Sequence, residues 1–421
     1  MPKVMLKLGP LTRLLVGLAL ALAIAGSPAP AVAQVGKPIK IGFLAPLTGA
    51  AAQIGRDMEN GFAMYMEEAG HQMAGRKVEV IVEDTAGNPG TAIAKFRKFV
   101  ESDRVDMVVG EAFAHIGYAL APKADEYKMP TIFPVIAADD LTQRKPSKWV
   151  VRLGWTGSQP SHPFGEYAAK TLGYKRVAVF GTDYAFGYEV VGGFQRAFEE
   201  AGGQIIQKLW APLGTSDLAP YLSQLKRDAD AAFIIVVSNS ALRFPAQYRD
   251  AGLTGRLPVI GGAVIADESV LPTFGDEALG MVTPLMYSAA LDTPANRRFV
   301  AEYRKKFGKV PSYFSETCYT SGRWIAEAAR AVGGRVEDRE KFMAAFRTVE
   351  IPDAPRGPLK LDQWGNPIQN IYVRKVERKN GELQNTVIHT FPAISQFWTY
   401  KPEEYLKLPV YARDYPACRF C

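Results

Sequence analysis

Histidine and cysteine are scarce in this chain, four of one and three of the other in 421 residues, and their placement excludes much chemistry. No two histidines stand at metal-ligand spacing, and Cys418 and Cys421 form a Cys-x-x-Cys with no second pair to complete a zinc site. No strand-like run is followed by Gly-x-Gly-x-x-Gly or by a phosphate loop ending in Lys-Ser/Thr, so nucleotide cofactors have no fingerprint here. No Gly-x-Ser-x-Gly elbow surrounds Ser161, so the adjacent Ser161-His162 does not read as a hydrolase pair. Basic residues do not form a block: Lys95, Arg97, Lys98 and Arg104 have the acids Glu101 and Asp103 among them, as on an ordinary solvated helix face, which argues against nucleic acid as a partner. No cofactor or metal is expected, and no catalytic residue.

Long apolar runs are absent except near the start. Lys3, Lys7 and Arg13 precede an apolar stretch from Leu14 to Ala25, and Ala31-Val32-Ala33 offers small residues to a signal peptidase. The stretch is shorter than the ~20 residues that span a bilayer. It predicts a cleaved export signal over residues 1–33, with no lipid-attachment cysteine behind it and a freely diffusing periplasmic product. The formal charge of +7 includes the three cations of this leader, which leaves +4 after its removal. In an exported chain, Cys418 and Cys421 could close a small disulfide.

A mature chain approaching four hundred residues exceeds what one core supports, since single cores stop growing near ~250 to 300 residues, so two lobes are expected. Short β-branched runs alternate with amphipathic helices, the rhythm of parallel sheets covered on both faces. Strands are expected at Ile39–Ala45, Val78–Glu83, Met107–Gly110 and Thr131–Phe133. The plan then repeats with strands at Val177–Gly181, Gln204–Leu209, Ala232–Val237 and Val259–Gly261. Helices are expected near Arg56–Ala69, His115–Tyr127, Tyr184–Ala201, Leu218–Arg227 and Ser240–Ala251. Two further long helices, near Asn296–Phe307 and Phe314–Val332, bring no strands of their own and are expected to cover the first sheet. Asn380-Gly381 between two β-rich runs predicts a type I′ hairpin.

In open parallel sheets a ligand lies beyond the C-terminal strand ends, where helix N-termini present unpaired N–H groups. The loops there run Pro46–Gly55, Glu111–His115, Pro134–Asp140, Thr182–Gly187, Ser238–Arg243 and Gly261–Asp267. They carry Ile-Gly-Phe-Leu-Ala-Pro-Leu-Thr-Gly from Ile41, Glu83-Asp84-Thr85 with Asn88-Pro89, Val-Val-Gly at Val108 and Val-Val-Arg-Leu at Val150. Gln-Tyr-Arg-Asp-Ala-Gly-Leu at Gln247 and Gly357-Pro358-Leu359 with Asp362 and Gly365 continue the series. In that order and spacing, the chain from Ile39 to about Trp364 resembles the type I periplasmic binding proteins of branched-chain amino acid ABC transporters.

The resemblance implies a non-enzymatic α/β protein of two Rossmann-like lobes with parallel sheets, joined by a three-crossover hinge near Trp155, Pro284 and Leu361. Residues 34–154 with 285–360 would form lobe I, 155–284 with 361–397 lobe II, and 398–421 a surface tail. It also implies a monomer that docks transiently on an ABC permease of the inner membrane. The polar handles with which the family reads an amino acid fall here on Ala114 or His115, on Ala137 and on Ala263. The expected cleft tyrosines fall on Phe186 and Asn239. An ammonium buried without an acid costs several kcal/mol, so an α-amino acid fits such a pocket poorly. Ile54, Phe113, Trp155, Tyr184, Phe186 and Tyr313, with Tyr287 and Phe314, suit a planar apolar ligand with a polar end. Its carboxylate would sit on the N–H groups of His115 and Ile116, assisted by a protonated His115 or by Arg243. This is similar to the aromatic-acid-binding subset of the family. Binding of an aliphatic amino acid or amide, and service as a sensor subunit for a membrane receptor, are the alternatives. Arg152 is expected in a structural ion pair between lobes.

Overall fold

In the first sheet, β1 (Ile39–Ala45) lies at the centre, with β2 (Gln72–Met73) and β3 (Arg76–Asp84) on one side and β4 (Met107–Gly110), β5 (Thr131–Phe133) and β6 (Val150–Arg152) on the other. The order is β2-β3-β1-β4-β5-β6, parallel apart from the β2–β3 pair. The computed structural model describes residues 36–421, so the expected export signal lies outside the described residues.

The second sheet is built from β7 (Arg176–Asp183), β8 (Gln204–Pro212), β9 (Ala231–Ile235), β10 (Val259–Gly261) and β11 (Val282–Leu285), all parallel. Antiparallel strands extend it: β12 (Glu350–Ala354), β13 (Gly357–Leu361), β14 (Pro367–Lys379) and β15 (Glu382–Ile394), in the order β12-β13-β14-β11-β10-β9-β7-β8 with β15 beside β14. Every residue of β9 is buried, as helices on both faces require. The fold is thus the expected α/β fold of two lobes with parallel sheets. Asn380 and Gly381 both take positive φ, 52° and 83°, and close the β14–β15 hairpin as their pairing predicts.

Between β11 and β12 the chain runs through helices Pro294–Phe307, Tyr313–Ala331 and Arg339–Thr348. The middle one packs on helix Ala52–Glu68 of the first lobe, and only glycine permits the approach. A Cβ at Gly61 would collide with the Ser315 backbone, and one at Gly322 with the Tyr65 ring.

Three elements differ from the sequence reading. The helix expected over Leu218–Arg227 is a single turn, Ala219–Leu222, because the Lys226 N–H turns aside to the Gln207 side chain at 2.9 Å. The β12–β13 hairpin was not expected; its pattern is too short and polar to stand out from a loop. The tail, expected merely to lie on the surface, is docked: Phe397, Tyr405 and Tyr411 form a small buried cluster of their own. Tyr411 hydroxyl meets His162 Nε2 at 3.0 Å, the Arg196 guanidinium lies 3.8 Å from the Tyr400 ring centre, and the Leu408 carbonyl accepts from Arg144 at 2.9 Å. A disulfide joins Cys418 to Cys421 at the end.

Candidate functional site

A cavity of about 1060 Å³ opens between the lobes at the C-terminal ends of the strands. The loop after β4 forms part of its first-lobe wall, shaped from beneath by Glu111. That fully buried carboxyl accepts the Ala112 and Phe113 N–H groups at 2.6 and 3.0 Å and the Thr85 hydroxyl. Burial raises its pKa, against the pull of those donors. The loop thereby presents Phe113 and Ala114 to the cavity, where helix Ala114–Tyr127 begins. Ala137, in the loop after β5, and Ile54 complete this side.

Trp155 forms the floor. It borders the cavity with 0% exposure, edge-on to Phe186 with centroids 5.4 Å apart and to Tyr313 at 6.2 Å, and its buried Nε1–H has no partner among the described residues. Tyr184 and Phe186, at the start of helix Ala185–Glu200, are neighbours at 5.9 Å and supply the second-lobe wall. Of the residues expected in the site, the structure therefore brings together Ile54, Phe113, Ala114, Ala137, Trp155, Tyr184, Phe186 and Tyr313, with Phe314.

Six others stand outside the cavity lining. Asn239 and Arg243 are exposed on helix Asn239–Asp250, which turns Ala241 and Leu242 to the cavity instead. Ala263 is fully buried, and its carbonyl accepts from Arg374 at 3.0 Å. Ile116 is fully buried and its N–H already donates to the Phe113 carbonyl at 3.1 Å, so it has no donor to offer a carboxylate. The neighbouring N–H groups of Ala114 and His115, by contrast, open the helix with no partner among the described residues. Burial lowers the pKa of the half-buried His115 ring, which disfavours the protonated form that a charge-assisted bond requires. Tyr287 lies wholly buried beside the site, its hydroxyl without a partner among the described residues. Arg152 makes no ion pair; it donates to the carbonyls of Ala138 and of Trp155, the latter at 3.3 Å, and to Asn366.

Sequence reasoning held Ser238 and Val264 only within its expected loops and missed Val237 and Glu268 of the second lobe. Their signal was positional, since all follow the ends of β9 and β10. Asp57 marks the polar corner of the first lobe, paired with Lys309 and accepting from the Ser312 hydroxyl at 3.1 Å; burial raises its pKa. Among the described residues no cluster of three or more His, Cys, Asp or Glu could hold a metal ion, and no helix is long and apolar enough to cross a membrane.

The sequence model of the periplasmic binding protein family matches residues 38–382. A relative from Brucella suis biovar 1 (strain 1330), named Leu/Ile/Val-binding protein homolog 6, is 30% identical over 84% of this chain and 91% of its own length. An ABC transporter substrate-binding protein from Sphaerobacter thermophilus superposes with a TM-score of 0.81 at 34% identity, over 86% of this chain and 99% of that one. A solute-binding protein of an ABC transporter from Rhodopseudomonas palustris BisB5, solved with 3,4-dihydroxybenzoic acid, gives the same TM-score and identity over 85% and 98% of the two chains. This chain belongs to the periplasmic binding protein family, in its Leu/Ile/Val-binding-protein-like group.

Proposed function

We propose that this chain is the periplasmic solute-binding component of an ABC importer and that it encloses an aromatic carboxylate in the interlobe cleft. The observation that carries this reading is the cleft wall itself: methyl groups at Ala114 and Ala137, surrounded by Phe113, Trp155, Tyr184, Phe186 and Tyr313. Such a wall rewards a flat ring by area burial and by offset or edge-on ring contacts worth about 0.5–1.5 kcal/mol each beyond area. The carboxylate would take the Ala114 and His115 N–H groups at the positive end of the helix, and the Trp155 Nε1–H. The dihydroxybenzoate held by the Rhodopseudomonas protein supports the same ligand class.

A second reading, an aliphatic α-amino acid, draws on the name of the Brucella relative and on Glu268, an acid bordering the cavity. Arg374 stands 3.6 Å from that acid, however, and would oppose an ammonium there. Under the first reading the protein is exported by its N-terminal signal, acts as a monomer and docks transiently on its permease. Thermal-shift screening decides between the ligands, since a ligand at a hundred times its Kd adds about 2.7 kcal/mol to stability. Stabilisation by benzoate-type acids and none by leucine is the expected result; stabilisation by leucine alone would overturn the assignment.

A further inference from the structure

The cavity meets one buried ion pair whose geometry packing does not explain. Glu268, 7% exposed, borders the cavity from the second lobe. Its Oε1 accepts the Ala289 N–H at 3.1 Å, while Oε2 is buried and accepts nothing from the described residues. Arg374, wholly buried on β14, stands 3.6 Å from Oε2 and is engaged elsewhere. Its Nη1 donates to the Tyr287 carbonyl at 2.8 Å, and its Nη2 to the Ala263 carbonyl and Thr283 hydroxyl at 3.0 and 3.1 Å. Arg–carboxylate pairs are frequently short and bidentate. Here the guanidinium is fixed to carbonyls, and a carboxyl oxygen is left with its acceptor positions unfilled. An unfilled buried acceptor costs about 1–3 kcal/mol, which a ligand donor would recover. The donor has to be neutral, because a cation at Oε2 would lie against Arg374.

Resting on the aromatic-acid reading, we propose that Glu268 is the specificity-determining residue that accepts a hydrogen bond from a ring hydroxyl of the bound acid, with Arg374 as the positioning residue that keeps this carboxyl in place. The preferred ligands are then phenolic acids rather than unsubstituted ones. Burial also lifts the Glu268 pKa to about 7 against the pull of Arg374, as befits a carboxyl that is incompletely paired.

The test is calorimetric titration of the mature protein with 3- and 4-hydroxybenzoate and with the matching fluorobenzoates, which are similar in size and lack the donor. At least one hydroxybenzoate is expected to bind about ten-fold more tightly than its fluoro counterpart, the effect of one well-made hydrogen bond. In Glu268→Met that preference is expected to vanish, and in Glu268→Gln, which keeps an acceptor, to persist in part. Equal affinities in the wild-type protein would overturn the role of Glu268 even if neither variant folded, and so would a preference that survives in Glu268→Met. Failure of all four acids to bind would overturn the proposed function itself, and this inference with it.

Discussion

Helices Ala114–Tyr127 and Ala185–Glu200 approach each other across the cleft, and their first turns differ in kind from their second. At the first turns, Phe113, Ala114, Tyr184 and Phe186 turn apolar surface to the cavity. One turn further along, Tyr118 donates its hydroxyl to Glu189 at 2.7 Å and accepts the Asp140 N–H at 3.2 Å. Asp139 and Arg152 stand behind them, buried. Residues three and four apart share a helix face, so this division is made within a single stripe of each helix. The lobes therefore touch each other through polar groups and touch the ligand's place through rings and methyls.

Four changes would break or sharpen that division. The largest effect is expected from Arg152→Met, which strips the polar seam of its buried cation and leaves the Ala138 and Trp155 carbonyls and Asn366 without their donor. Each buried acceptor left unfilled costs about 1–3 kcal/mol, to be read by urea unfolding; a total loss below about 1 kcal/mol would show that the seam does not hold the lobes. Phe186→Ala comes next, with the opposite signature: affinity for an aromatic acid should fall about ten-fold as a ring contact is lost. A large fall in Tm with unchanged affinity would instead make Phe186 a core residue. Tyr118→Phe should cost about 1 kcal/mol, the net worth of one hydrogen bond, and lower affinity for every ligand alike, because it weakens only the closed arrangement.

The smallest effect depends on pH. Burial and the neighbouring Asp139 raise the Glu189 pKa well above 4.5, and burial raises that of Asp139 to about 6. A carboxyl whose folded pKa exceeds its unfolded one binds more protons when folded, so it subtracts stability as pH rises from its unfolded value through its folded one. Glu189→Gln removes this penalty. The difference in Tm, variant minus wild type, should grow more positive from pH 4.5 upward, and a flat difference would mean that the carboxyl is not strained by burial.

Much of this architecture was legible in the sequence because it is repeated and local. The βα alternation marks both sheets, and Asn380-Gly381 fixes a hairpin by its own backbone needs. The apolar half of the site was legible too, as rings in loops at strand ends. What escaped depends on partners distant in sequence. Nothing near Glu268 announces Arg374, more than a hundred residues away. Nothing near His162 announces Tyr411 of the docked tail. Which of Asn239, Ala241, Leu242 and Arg243 faces the cavity is set by how their helix seats on the second sheet, and a loop motif does not record it.

The most direct measurement is a crystal structure of the protein with 4-hydroxybenzoate. The account predicts the ring enclosed by Phe113, Trp155, Phe186 and Tyr313, with its carboxylate on the Ala114 and His115 N–H groups and the Tyr118–Glu189 bond intact. A ring lying elsewhere, or a cleft that takes up leucine and leaves the acid in solution, would contradict it.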